Sequence, residues 1–194
     1  MTFARNSLTN AGLDPADPLA EDANGLTLLE IAALNLYTQE SIYGFLNKTL
    51  NTKNARQQRL TPVLSYMRIL LRALAKLPPY AELGLVRGVK LDLCVNDSRY
   101  VPGQQFRWWG FTSCSLDSEV VKDFSRPEDG GIGTIFSISC EIGRDVSAYS
   151  AYNEEMEVLL PPGITMVVKS CVRNAGGFNF ITVEHVKSVP LLVQ

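Results

Sequence analysis

Hydrophobic positions fall into two regimes along this chain. From Leu28 to Tyr37 apolar residues recur at helical spacing behind Thr27-Leu28-Leu29-Glu30, a capping box in which Thr hydroxyl and Glu carboxylate satisfy each other's free backbone N–H groups. A second helix is expected over Ser41 to Leu50. A third is expected from Thr61-Pro62, with Thr as cap and Pro at the first helical position. Val63, Met67, Leu70, Leu74 and Leu77 then make one apolar stripe, which Pro78-Pro79 ends.

From Gly84 onward the period shortens. Val86-Arg87-Gly88-Val89 reads as a short strand, and the aromatic and β-branched run Phe106 to Ser115 is strand-like. Thr134, Phe136, Ile138, Cys140 and Ile142 alternate with Ile135, Ser137, Ser139 and Glu141, the two-residue period of a half-buried strand. Val158 to Leu160, Thr165 to Val172 and Phe178 to Val186 follow, separated by Pro-Pro-Gly and Asn-Ala-Gly-Gly turns. Helices first and strands second indicate an α+β fold, with a helical layer over mixed or antiparallel strands. Residues 1–24, polar and carrying Pro15 and Pro18, read as a lead-in, and 25–194 as a single domain.

Composition narrows the functional classes. Of 194 residues 46% are apolar, enough for a sizeable core, and the net charge of −2 with no Lys/Arg cluster argues against nucleic acid as a partner. No run approaches the roughly 20 apolar residues of a membrane span, and the opening MTFARNSLTN lacks a signal-peptide core. The compartment stays open between a cytoplasmic protein and a trimmed or delivered effector. Cys94, Cys114, Cys140 and Cys171 show no metal-ligand spacing, so no metal is expected; they read as small core residues, with one disulfide possible. The single histidine, His185, leaves little room for a Ser-His or Cys-His nucleophile.

Three polar groupings stand out in the strand half. Arg87-Gly88 lies among apolar neighbours, where the arginine can be an edge charge, an ion-pair partner or an anion ligand. In Phe111-Thr112-Ser113-Cys114-Ser115, alternation puts Phe111, Ser113 and Ser115 on one face, and a serine there suits orienting a carboxylate better than attacking a substrate. In Asn153-Glu154-Glu155-Met156-Glu157-Val158-Leu159-Leu160, three carboxylates precede an apolar strand. If the stretch is extended, Glu155 and Glu157 share a face about 6.6 Å apart, a range at which two acids can divide labour. A solvated acidic turn is the alternative.

Taken in order, Arg on an early strand, Phe-Thr-Ser-x-Ser and Glu-x-Glu-Val-Leu-Leu-Pro resemble the Arg, Ser-x-Ser and Glu-x-Glu motifs of mono-ADP-ribosyltransferases, a family that includes arginine-specific ecto-enzymes and actin- and Rho-modifying toxins. Leu36-Tyr37-Thr38, Leu46-Asn47, Ala73-Leu74-Ala75-Lys76-Leu77-Pro78 and Tyr149-Ser150-Ala151-Tyr152 are similar as well, so the resemblance covers about residues 25–187.

The resemblance implies a helical layer on a two-sheet mixed or antiparallel core, NAD+ as co-substrate, and a monomer acting on a protein acceptor with an accessible arginine. It implies that Arg87 holds the pyrophosphate and nicotinamide ribose, with the Gly88 backbone at the nicotinamide amide. Ser113 would orient Glu157, the catalytic carboxylate, which stabilises an oxocarbenium-like transition state. Glu155 would face the acceptor and Tyr152 contact it. Thr38 and Asn47 fall among the cofactor-binding positions. Phe124-Ser125-Arg126-Pro127 resembles a phosphate–nicotinamide loop one residue short, with Phe124 against nicotinamide and Arg126 on phosphate.

Departures are Asn51 where the family often has an NAD-binding Arg, Val86 where ecto-enzymes often have Tyr, and Cys114 between the serines. The activity implied is transfer of ADP-ribose to arginine with inversion at the anomeric carbon. An NAD+ glycohydrolase at the same site, or an inactive binding domain on this fold, are the alternatives.

Overall fold

The computed structural model describes residues 14, 17, 20–39, 42–52, 60–80 and 84–187. They group into two compact units. The first takes the described residues up to 80 together with 109–113 and 142–162. The second takes those of 84–108, 114–141 and 163–187.

The first unit carries the helical layer. α1 (Leu28–Thr38) starts with the expected capping box, Thr27 and Glu30 each bonding the other's backbone N–H. α2 spans Tyr43–Asn51, and Ser41, where the sequence puts the start of this helix, lies outside the described residues. α3 is Leu64–Lys76. Here the expected start is corrected: Thr61–Val63 form a 3-10 turn with Pro62 in its first positions, and no side chain caps either element. Pro62 tolerates the tight turn because it has no N–H to leave unpaired.

Helical spacing buries Ile31, Leu34 and Tyr37 of α1, Leu46 and Leu50 of α2, and Leu70, Ala73 and Leu74 of α3 in one core, together with Phe111, Tyr149 and Leu159. Lys76 at the end of α3 reaches back to the buried Glu30 (2.7 Å) and to the Gly25 carbonyl (2.5 Å).

The second unit is built on strands. In hydrogen-bonded order they run β2 (Gln105–Trp108), β7 (Ile164–Ala175), β8 (Phe178–His185), β4 (Gly133–Ser139), β1 (Leu85–Val89) and β3 (Thr112–Ser115), which places them in one mixed sheet where a two-sheet core was expected. β4 and β8 pair in parallel, whereas β2–β7, β7–β8, β4–β1 and β1–β3 pair antiparallel. The run Phe106 to Ser115 is therefore two strands rather than one. β7 and β8 form a hairpin closed by Gly176 and Gly177, both at positive φ (66° and 88°), a conformation glycine adopts without strain.

Two short helices that the hydrophobic pattern did not reveal, α4 (Leu93–Asn96) and α5 (Ser118–Ser125), complete this unit. Val121 of α5 packs with Ile135 and Phe178. Elsewhere Tyr100, Phe106, Trp108 and Phe136 meet edge-on at centroid distances of 5.0–5.6 Å. Cys94 and Cys171 form a disulfide, while Cys114 and Cys140 are buried thiols.

β3 begins in the first unit and ends in the second, so Thr112 and Ser113 belong with β5 (Arg144–Asp145) and β6 (Glu157–Leu160) of the first. β5 and β6 pair antiparallel, Asp145 opposite Val158. Two 3-10 turns, Ser147–Tyr149 and Asn153–Glu155, connect them.

Candidate active site

Glu157 opens β6 and is only 5% exposed. Its backbone carbonyl accepts from Val146 N–H (2.9 Å), which sets the start of the strand. A carboxylate this deep needs partners, since desolvation of an unpaired one costs several kcal/mol. Two of its partners are hydroxyls. Ser113 Oγ donates to Oε1 in a short bond, and Ser150 Oγ donates to Oε2 at 3.4 Å. Ser113 is half-buried on β3, and Ser150 is buried in the segment between the two 3-10 turns.

Ser150 is the member of this group that residue patterns do not single out. It lies seven residues from Glu157, and no strand periodicity links the two. The signal was a hydroxyl inside Tyr149-Ser150-Ala151-Tyr152, and it acquires meaning only once the chain doubles back.

The relation of Glu155 to Glu157 differs from the extended arrangement. Asn153–Glu155 is a 3-10 turn, and Met156 sits in the left-handed region (φ 42°, ψ 54°) before the strand begins. The two glutamates are thus related by a turn, not by strand alternation, because the chain must reverse its twist between them. Glu154 is exposed and Glu155 half-buried. Burial, and secondarily the charge of Glu154, holds the Glu155 carboxyl above the usual carboxylate range. A carboxylate so tuned takes up a proton more readily than a solvated one. Tyr152, at the head of the turn, is exposed.

Thr38 and Asn47 serve the interior of this unit. Thr38 Oγ1 donates to the Asn35 carbonyl (2.9 Å) and accepts from Ala151 N–H (2.8 Å). Asn47 Oδ1 accepts from Phe111 N–H (2.9 Å), and its Nδ2 donates to the Tyr37 hydroxyl (3.1 Å). Gly110 is needed for that approach, because a Cβ there would lie 2.8 Å from Asn47 Oδ1. Asn51, where the resemblance leads one to expect an arginine, donates to the Asn47 carbonyl (2.8 Å).

The second unit holds the other expected residues. Arg87 lies on β1 opposite Phe136 of β4, half-buried, and its charge is felt at Tyr100. Burial raises the Tyr100 phenol above its usual range, against the Trp108 hydrogen bond and the charges of Arg99 and Arg87. Gly88, next along the strand, lies beneath α5: a Cβ would collide with Ser125 Oγ and stand 2.8 Å from the Val121 carbonyl oxygen.

Phe124 and Arg126 flank that same Ser125. They stand at and just past the end of a helix rather than in an open loop. Phe124 is 55% exposed, and the Arg126 guanidinium lies over the Phe178 ring at 5.2 Å.

Comparison with known proteins bears on what such an arrangement does. A family model described as NAD:arginine ADP-ribosyltransferase matches residues 19–188. A Mycobacterium avium (strain 104) protein assigned as an NAD(+)--arginine ADP-ribosyltransferase is 39% identical over 99 residues, 51% of this chain and 11% of its own length. Human ecto-ADP-ribosyltransferase 5 is 30% identical over 138 residues, 67% of this chain and 45% of its own. The chain thus spans less than half the length of either relative.

Among solved structures, the Vis toxin of Vibrio splendidus, an ADP-ribosyltransferase crystallised with agmatine, superposes with a TM-score of 0.65 at 23% identity. That match covers 96% of this chain and 86% of the toxin chain, and it establishes the shared fold.

Proposed function

The chain belongs to the NAD:arginine ADP-ribosyltransferase family, and from that premise we propose that it moves ADP-ribose from NAD+ to arginine side chains of a protein acceptor. The observation that carries this reading is the buried Glu157, hydrogen-bonded by a hydroxyl on each carboxylate oxygen. Hydroxyls on both oxygens fix the direction of the carboxylate.

NAD+ is the donor substrate: the bond from its anomeric carbon to nicotinamide breaks, the electron pair leaves with nicotinamide, and a guanidinium nitrogen of the acceptor forms the new bond with inversion. Glu157 sets a fixed negative charge against the positive charge that develops at that carbon. Fixed charges of this kind act without reorganising during the reaction, and removing one costs on the order of a hundredfold or more in rate. Glu155 grips the incoming guanidinium and accepts the proton it sheds, a step suited to its raised pKa. Tyr152 contacts the acceptor.

Arg87 is assigned to the NAD+ pyrophosphate and ribose, the Gly88 backbone to the nicotinamide amide, Phe124 to nicotinamide packing and Arg126 to phosphate. Thr38 and Asn47, whose polar atoms are engaged within their own unit, support the NAD+ site by holding the 149–152 segment and the start of β3.

Incubation with NAD+ labelled in its ADP-ribose moiety, together with agmatine or polyarginine, tests the reading. Label on the guanidinium is the expected result. Free ADP-ribose and nicotinamide alone would make the chain a glycohydrolase, and no turnover of NAD+ would overturn both.

A further inference from the structure

We propose that Ser150 is a positioning residue that ties the orientation of Glu157 to the turn bearing Tyr152 and Glu155. Its hydroxyl would thereby control how NAD+ cleavage divides between arginine and water. The proposal rests on the functional reading above.

Ser150 is 2% exposed, and its hydroxyl is used in both directions. The Oγ donates to Glu157 Oε2 (3.4 Å) and accepts from Tyr152 N–H (3.1 Å). Donation to a carboxylate polarises a hydroxyl and strengthens its acceptance from an amide, so the two bonds reinforce each other.

The chain around Ser150 is pinned from outside the turn. The Tyr149 carbonyl accepts from Asn35 Nδ2 (3.1 Å), and Ala151 N–H donates to Thr38 Oγ1 (2.8 Å), both near the end of α1. The Tyr149 hydroxyl donates to Asp22 in a short bond and accepts from Asn24 Nδ2 (2.7 Å). Tyr149 is held above its usual range, to about 12, by burial and then by the bond to Asp22, so it stays protonated and keeps donating. Past Tyr152 the chain leaves this anchored stretch for the 3-10 turn, the exposed Glu154 and the left-handed Met156. The Ser150–Tyr152 bond is where anchoring passes to the acceptor turn.

Ser113 grips the other oxygen of Glu157 from β3. The two serines therefore act differently. Loss of Ser113 releases Glu157 and weakens every reaction that passes through the cation. Loss of Ser150 leaves Glu157 held on one side but frees the turn, which harms the reaction that needs Glu155 in place.

The test measures initial rates of transfer to agmatine and of NAD+ hydrolysis, along with amide hydrogen exchange at Tyr152, in the wild type, Ser150→Ala and Ser113→Ala. For Ser150→Ala, transfer is expected to fall about thirtyfold and hydrolysis about threefold, the tenfold difference matching one lost hydrogen bond of about 1.4 kcal/mol. Tyr152 exchange accelerates in the same variant, while Ser113→Ala lowers both rates by similar factors. Ser150→Cys, of nearly the same volume but a weaker donor, gives an intermediate ratio and carries the test if the alanine variant does not fold.

Equal loss of both rates in the Ser150 variants, or unchanged exchange at Tyr152, overturns the proposal. A wild type active on NAD+ with no such split overturns this proposal alone. A wild type inert toward NAD+ overturns the functional reading and this proposal with it.

Discussion

The Ser113 hydroxyl on β3 donates to one oxygen of Glu157, the buried first residue of β6, across 44 residues of sequence. The bond fixes the direction of the carboxylate to which we assign the catalytic charge. Glu157→Gln keeps the shape and removes the charge, so both agmatine transfer and NAD+ hydrolysis should fall by about a hundredfold or more. Ser113→Ala should cost both about tenfold, because Glu157 keeps its place in β6 but loses an orienting donor. Rates with labelled NAD+ check both variants, and unimpaired hydrolysis in Glu157→Gln would remove this carboxylate from the chemistry.

Glu155 should behave otherwise. Glu155→Gln should abolish transfer yet leave appreciable hydrolysis, since an amide can neither pair with a guanidinium nor take its proton. Because burial and then Glu154 raise the Glu155 pKa, the acid limb of the transfer rate should lie above the ordinary carboxylate value near 4.5. Glu154→Gln should move that limb toward lower pH. The sign for stability is also fixed: a carboxyl with a raised folded-state pKa favours the fold when protonated, and that contribution is lost as pH rises through the folded pKa. Glu155→Gln should therefore be no less stable than the wild type at pH 7 in urea unfolding.

What residue patterns disclosed, and what they did not, follows from the range of the forces involved. The α1 cap was legible because Thr27 and Glu30 bond within one turn, and the existence of β4 because its run of β-branched and aromatic residues is local, although residues 133–136 are all buried where alternation was expected and the strand ends at Ser139 instead of reaching Ile142. The Ser113–Glu157 pair was legible only through the family motifs. The geometry between Glu155 and Glu157 was not, since a left-handed Met156 has no residue signature; glycine or asparagine would have announced it. α5 was missed because it is eight residues long and its seat is two glycines on other strands. The internal use of Thr38 and Asn47 depends on Ala151 and Phe111, over 60 residues away in each case.

Those two glycines give a packing prediction. A Cβ on Gly88 would meet Ser125 Oγ, whereas a Cβ on Gly133 would meet the Ser125 backbone carbonyl. Either alanine should destabilise the protein by about 1–3 kcal/mol through overpacking. Adding Ser125→Gly should recover part of the loss in Gly88→Ala, with the Val121 carbonyl still 2.8 Å from the new methyl. It should recover little in Gly133→Ala, where the obstacle is main chain. Equal rescue of both, measured by thermal or urea unfolding, would contradict the packing assigned to the end of α5.

Glu30 and Lys76 tie the start of α1 to the end of α3. Glu30 is buried, and burial alone would raise its pKa, but the Lys76 ammonium at 2.7 Å and the Thr27 donors outweigh that and hold it below the usual range. A depressed carboxylate pKa contributes stability that is present above the unfolded value near 4.5 and lost as pH falls through the folded pKa. Lys76→Met removes the cation and leaves Glu30 buried with only its capping partners, so it should cost on the order of 2 kcal/mol at pH 7, reduced from a fully buried pair because Lys76 is partly exposed. The deficit should shrink as Glu30 protonates in acid. Glu30→Gln in the Lys76→Met background should restore part of the loss at pH 7, because a neutral amide can keep the contact with Thr27 without a buried charge. Urea unfolding of these three proteins and of Glu30→Gln alone across pH 3–7 measures the coupling, and a deficit that does not vary with pH would assign the effect of Lys76 to packing of its stem instead.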